Sequence, residues 1–463
     1  MSSWYLEGEG MKANSKGGIA AVIILMFLIG VPVDLMAQQQ QQQEPSALQT
    51  IPLRFQPYIT TQEMYDSNIF LTATNRTADW ITTVTPGIRI GQQDAFTGIN
   101  LDVNGGYNWY ANNSDLNFWS ALGNLEARYS PSRYWNFRLR EYILRSEDPQ
   151  ERQYGGQYNQ MFSSIDQTRS IYIRNVVTPS IEYRFARDSS LGVAYANNYY
   201  NNENPGIEDS MSNAVNPTLT YWFNVRNGIT LDYRYEKIDY DGDSDDLTNS
   251  DIRGRYTHRF DPATSVFADY VYQIRDYDDP SVDYVTHAPS VGIQHAFSRA
   301  LSGLLQVGYY YADPDVGDSR DGLTVNTNLS LRGERTTYTI FGVGGYREEF
   351  QTADNFGFIE YYRGGVTVSH RLLQRLTLNL GADAEWDKYI SEEEAWLYTA
   401  SLGMTYQILR WMNITAGVAY SENDSNIESN DYYDWKGFVA LTLTYGEGPR
   451  PAPASATGSG STR

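Results

Sequence analysis

Arginines and carboxylates recur at alternate positions along short runs of this chain. Arg253, Arg255 and Arg259 share one parity, while Ile252, Gly254, Tyr256 and Phe260 share the other. Arg138 and Arg140 repeat the arrangement, and Arg174, Arg184 and Arg234 stand in similar runs. The acids Asp102, Glu126, Glu182, Asp232, Glu236, Asp269, Asp383 and Glu385 occupy the same kind of position. A guanidinium stays charged and grips a carboxylate or sulfate through two hydrogen bonds. Two outcomes follow. Opposite acids on neighbouring strands, these arginines pair and knit a wall; on the wall of an aqueous passage, they favour anions.

Other chemistry finds little support. Asp241, Asp243 and Asp245 begin like a calcium loop, but Asp246 stands at its sixth position and Ile252 at its twelfth, where Gly and Glu belong. A solvated acidic loop is the expectation there. His258, His287, His295 and His370 lie far apart with no metal spacing, and no Ser–His constellation, phosphate loop or dinucleotide fingerprint stands out. No catalytic residue, metal or cofactor is expected. The chain has no Cys, which removes thiolate ligands, cysteine nucleophiles and a lipid-anchored N-terminus. Its net charge of −21 argues against nucleic acid, which needs a basic surface. Of 35 basic residues only Lys12, Lys16, Lys237, Lys388 and Lys436 are Lys.

The elements that must position these charges are strands. In Leu376–Trp386 the even positions are apolar and the odd ones polar or glycine, giving one oily and one wet face. The pattern recurs from 55 to 445 in about twenty segments (eighteen is the alternative), with no linker between domains. Tight connections such as 130–134, 186–190, 224–227, 261–264, 298–300 and 372–375 alternate with longer acidic ones such as 146–170, 241–249, 276–284 and 389–395. Phe185, Phe223, Phe260 and Phe297 precede tight turns at intervals of 37 or 38 residues. Rings placed so regularly suit a girdle at a membrane boundary. The expected fold is therefore all-β: a transmembrane antiparallel up-and-down β-barrel with short periplasmic turns and long external loops. Charge near the lipid midplane costs ~2–4 kcal/mol, so the charged face must line the lumen. Its expected lining is Arg138, Arg140, Arg234, Arg253, Arg255, Arg259, Asp232, Glu236, Asp383 and Glu385. Twenty strands enclose more than side chains can fill, since 16–18 already leave a channel. The segment 146–170 is long enough to fold inward as a constriction, although an ordinary external loop is the simpler expectation.

The ends read differently. Lys12 and Lys16 precede the apolar run Ile19–Gly30, and Leu35-Met36-Ala37 offers a cleavage site, so 1–37 is expected to be a secretory signal, starting at Met1 or Met11. Residues 38–54, rich in Gln, form a polar leader too short for a plug domain, which disfavours a plugged transporter. Residues 446–463 read as a loose Gly/Pro/Ala/Ser tail.

The first hairpin is more specific. Glu63-Met64-Tyr65-Asp66-Ser67-Asn68-Ile69-Phe70-Leu71-Thr72, then Asp79-Trp80-Ile81-Thr82 and Val84-Thr85-Pro86-Gly87, resembles the opening of the putative β-barrel porin family. That family includes outer-membrane proteins linked to bacterial exopolysaccharide export. The resemblance implies an outer-membrane barrel of a Gram-negative type bacterium and a role in polysaccharide secretion. It carries no catalytic residues. The last strand ends on Tyr445, as substrates of the barrel assembly machinery do, although eighteen residues follow it. The expected function is a passive porin-like channel for polysaccharide export or for anionic oligosaccharides, with both termini periplasmic. Expected partners are outer-membrane lipid, the assembly machinery and polysaccharide-export components. The alternative is a structural or adhesive barrel, occluded inside and acting through its external loops.

Overall fold

The computed structural model describes residues 53–147, 170–204, 207–242, 245–278, 282–349, 357–389 and 393–445. The expected signal, nearly all of the leader, the tail and the core of the 146–170 segment lie outside these residues, as does Asp243. Twenty strands follow one another. They are β1 Arg54–Asp66, β2 Asp79–Gln93, β3 Thr97–Tyr110, β4 Phe118–Tyr129 and β5 Trp135–Ser146. Next come β6 Tyr172–Arg184, β7 Ser190–Asn202, β8 Ser210–Trp222, β9 Asn227–Tyr240 and β10 Leu247–Arg259. Then β11 Thr264–Tyr277, β12 Tyr284–Ala296, β13 Leu301–Pro314, β14 Arg320–Arg332 and β15 Thr336–Glu349. The last are β16 Gly357–Leu373, β17 Leu376–Lys388, β18 Glu394–Leu409, β19 Met412–Ser425 and β20 Tyr432–Thr444. Each strand pairs antiparallel with its sequence neighbours, and β20 pairs back on β1. Closure gives every strand a partner on both sides, the condition a strand protein must meet in lipid.

The connections alternate as the sequence predicts. One rim has only tight turns, such as 223–226, 260–263 and 410–411, while the other carries every longer segment. Local chemistry makes several of the turns. Asn224 Oδ1 accepts the N–H groups of Arg226 and Asn227, Asp261 Oδ1 those of Ala263 and Thr264, and Ser298 Oγ those of Ala300 and Leu301. Each of these caps directly follows the girdle aromatic (Phe223, Phe260, Phe297), so one short signal ends a strand and starts the return. Backbone N–H groups hold the Asp261 and Asp94 carboxyls below the usual range. With a depressed value in the fold, each carboxylate caps its turn at neutral pH and releases it only as pH falls through that lowered range.

The register sorts every strand into two faces. Thr230, Asp232, Arg234 and Glu236 of β9 face inward; Ile229, Leu231, Tyr233 and Tyr235 face out, with Leu231 47% exposed. Contacts that skip strands identify the inside, since Gln306 of β13 reaches Asp269 of β11 at 3.2 Å. Leu231→Arg is therefore expected to cost ~2–4 kcal/mol of barrel stability, and Thr230→Arg far less. Urea midpoints of both variants in lipid vesicles would check this, and equal losses would mean the faces are exchanged. Glu141 departs from the pattern: it points outward, between Leu125 of β4 and Val177 of β6. Nothing in the structure explains that carboxylate.

Candidate functional site

The lumen is the site, and the ten residues expected to line it all stand on the inner face. They divide into bonded and free groups. Arg253 lies opposite Asp232 on β9, and Arg255 lies opposite Asp269 on β11. Asp269, whose side chain is 2% exposed, takes both arginines: Arg253 Nη2 at 3.1 Å and Arg255 Nε at 2.6 Å. Arg255 also lies over the Phe267 ring. Asp232 accepts from Thr218 Oγ1 at 2.8 Å, and Arg234 pairs with Glu236 along its own strand at 2.8 Å. Arg259 reaches Asp188 at 3.1 Å and covers the Trp222 ring. Arg140 stands 3.9 Å from Glu126, both exposed, and Arg138 lies near Glu182, whose direct ion pair is with Arg184 at 2.9 Å. These arginines share one face of the sheet, and the register between strands shows that Asp269 binds two of them.

Asp383 and Glu385 belong to a second cluster that the sequence reading half found. Asp383 accepts from Arg363 Nε at 2.8 Å and from Thr399 Oγ1 at 2.7 Å. Glu385 and Asp387, both nearly buried, take Arg347. Arg347 and Arg363 were missed, although Arg363 shares the parity of its partners on β17.

Arg347 belongs to a part of the wall that turns inward. The pairing of β14 with β15 stops at Val325 and Gly344, while β15 and β16 stay paired to Glu349 and Gly357. At the break Gly345 adopts φ 142°, which a side chain rarely takes, and a Cβ there would lie 3.0 Å from Thr324 Cγ2. Beyond it, Tyr346 and Phe358 stack on each other and pack with Tyr310 of β13 and Ala288 of β12. The Tyr346 hydroxyl donates to Gln273 on β11. The end of the β15–β16 hairpin thus leaves β14 and crosses the inner wall. Aromatic packing holds it on one side and the Arg347 ion pairs on the other. Tyr362 O–H donates to the Leu323 carbonyl at 3.0 Å, satisfying a β14 group next to the break. This hairpin is one inward element among the described residues.

The same rim is packed elsewhere. After Asp66 the chain makes a clasp against β20: Ser67 Oγ donates to Asp434 at 2.9 Å, Asn68 Nδ2 reaches the Tyr433 carbonyl at 3.1 Å, and Lys436 Nζ lies 3.3 Å from Asp66. The fully buried Asn68 also accepts the Thr72 N–H, which bends the loop inward and seats Ile69 on Ile81, Tyr110 and Phe118. Leu144, Tyr172 and Tyr200 form a further inner cluster at this rim. Toward the tight-turn rim the inner side chains stand clear, among them Arg138, Arg140, Asn328, Ser369 and Thr405. The lumen is therefore wide at the tight-turn end and narrowed at the long-loop end. Three of the four histidines cap the wide end on the outer face: His258, His295 and His370 bond through Nδ1 to Asn227, Thr264 and Thr336.

Residues 239–445 match the family model described as "Putative beta-barrel porin 2". The match falls on the end of β9 through β20, whereas the resemblance noted in the sequence rested on the opening hairpin. No curated protein matches the chain. Among solved structures, the outer membrane protein OpdK of Pseudomonas aeruginosa is 11% identical with a TM-score of 0.43, over 85% of this chain and 99% of that one. OpdQ of the same organism is 11% identical with a TM-score of 0.41, over 85% and 98%. The siderophore receptor PirA of P. aeruginosa is 9% identical with a TM-score of 0.47, over 85% and 80%. The closed twenty-stranded antiparallel sheet has the architecture of an outer-membrane β-barrel, and the part of the chain from 239 to 445 is similar to porins.

Proposed function

We propose that the barrel passes acidic carbohydrate, entering from the periplasm at the wide, tight-turn end and leaving through the narrowed mouth between the long loops. The observation behind this reading is Arg138 and Arg140, exposed on the inner wall of the wide end, where Glu126 stands 3.9 Å from Arg140 and the nearby Glu182 is already bonded to Arg184. Guanidinium groups in that state attract carboxylates on sugars. Hydroxyl and amide groups such as Asn328, Ser369 and Thr405 on the opposite wall suit the neutral parts of a glycan. The resemblance of the first hairpin to the exopolysaccharide-linked family points the same way, and makes polysaccharide-export components the natural partners. Insertion by the assembly machinery fits the regular alternation of β20.

Reversal potentials under a salt gradient test the reading. Wild type should prefer anions, and Arg138→Ser with Arg140→Ser should reduce that preference; cation preference in wild type would end it. Orientation has its own test in this Cys-free chain. Val225, 80% exposed in a tight turn, and Val316, 73% exposed in a long-loop connection, take cysteines one at a time. An impermeant reagent on whole cells should label V316C and leave V225C untouched, and the reverse pattern would invert the topology.

The packed long-loop mouth favours a second reading, a barrel closed in its resting state that acts through its loops. Planar-bilayer recordings separate the two, because a closed barrel gives no conductance steps.

A further inference from the structure

The arginines at the tight-turn rim form a set apart from those of the lumen. Arg187, Arg226, Arg299, Arg335 and Arg410 lie in five different turns, all exposed, and none has a side-chain partner among the described residues. The acids in those turns offer little competition. They are Asp188, which is taken by Arg259, and Glu334. No lysine is found at this rim among the described residues; Lys237, Lys388 and Lys436 all sit at the long-loop rim, each beside a carboxylate. All five arginines lie within three residues of an exposed ring: Phe185, Phe223, Phe297, Tyr338 or Trp411. Rings at such positions lie at headgroup depth. A planar guanidinium there meets phosphate at a height where it can form two parallel hydrogen bonds, which an ammonium cannot.

We infer that the tight-turn rim is a binding surface for the phosphodiester headgroups of anionic phospholipid, held by these five arginines. The inference rests on the membrane-spanning fold and is independent of which solute passes. It explains why a chain of net charge −21 keeps unpaired guanidinium groups here. A lumen role would place them beyond the inner wall, whereas the neighbouring outward rings put them against the leaflet.

The test uses the whole barrel refolded into vesicles that contain brominated lipid, read by tryptophan quenching. Brominated phosphatidylglycerol should bind several-fold better than brominated phosphatidylcholine, and high salt should reduce the ratio. Changing all five arginines to Gln should bring it close to one. The variant should still run as a folded, heat-modifiable band, since these side chains hold nothing in the chain. Changing Lys237 and Lys388 to Gln should leave the ratio unchanged. Three results would overturn the inference: no preference in wild type, a preference that survives the five-fold change, or one lost with the lysines instead. Block of conductance by dextran sulfate that needs the five arginines, without any lipid preference, would assign the rim to soluble polyanions and also overturn it. Failure of the Arg138 and Arg140 experiment would leave the lipid result untouched.

Discussion

The variant carrying Arg253→Ser and Arg255→Ser should lose about 3–5 kcal/mol of barrel stability, because it leaves the buried Asp269 carboxylate without a cation. Both guanidinium groups bond to that one side chain, and the remaining donor, Gln306 Nε2 at 3.2 Å, is neutral. By contrast, Arg138→Ser with Arg140→Ser should stay within about 1 kcal/mol of wild type, as exposed pairs do. The check is the urea midpoint of each variant in vesicles. Adding Asp269→Asn to the first variant should recover part of the loss, since it removes the stranded charge. If the two double variants unfold alike, Asp269 is not the buried anchor described above. The contrast also decides which arginines can report on ion selectivity. Substitutions at 253 and 255 would disturb the wall and the pore together, whereas those at 138 and 140 disturb only the pore.

A larger channel is the expected result of Gly345→Val. A β-branched residue cannot take φ 142° without a cost of at least about 1–3 kcal/mol, and its Cβ would press on Thr324. Straightening β15 there extends its pairing with β14. That withdraws Tyr346 and Phe358 from the inner wall and parts Arg347 from Glu385 and Asp387. Single-channel conductance and the size of polyethylene glycol that still enters should both rise, while the heat-modifiable band persists. Unchanged conductance in a folded variant would show that this hairpin does not limit the passage. Tyr346→Ala with Phe358→Ala is the companion variant. It removes the aromatic anchors without touching the backbone and should move conductance the same way.

Much of this barrel was legible in the sequence because a period of two fixes the face of every residue on a strand. The strand number and the alternation of short and long connections follow from that period and its interruptions. The strand ends do not. The alternation predicts 215–223, 250–260 and 323–332, but the strands begin at Ser210, Leu247 and Arg320. Pairing there continues past the apolar band, where outward positions such as Asn213, Ser250 and Asp321 are polar and the pattern fades. The inward hairpin was hidden for the opposite reason: alternation runs on through Gly344 and Gly345 although the ladder to β14 has stopped. The shared role of Asp269 depends on the register between strands, which a pattern within one strand does not contain.

The clasp between the end of β1 and β20 has a consequence for how the barrel comes to be closed. Trp435 N–H donates to Ser67 Oγ across 368 residues of chain, so the seam is the most distant pairing in the fold. Its loop-closure entropy exceeds that of the hairpins, which join neighbours, though each doubling of length adds only ~0.6 kcal/mol. Hairpins therefore zip first, and the two terminal strands must then find each other in register. A slip of one residue would turn Asp434 and Lys436 toward lipid and separate Asp66 from its cation. Only the correct alignment seats all three charges and buries Asn68. Substitutions in the clasp should thus lengthen the time the sheet stays open, and produce mispaired or unclosed species, before they change how the finished barrel unfolds.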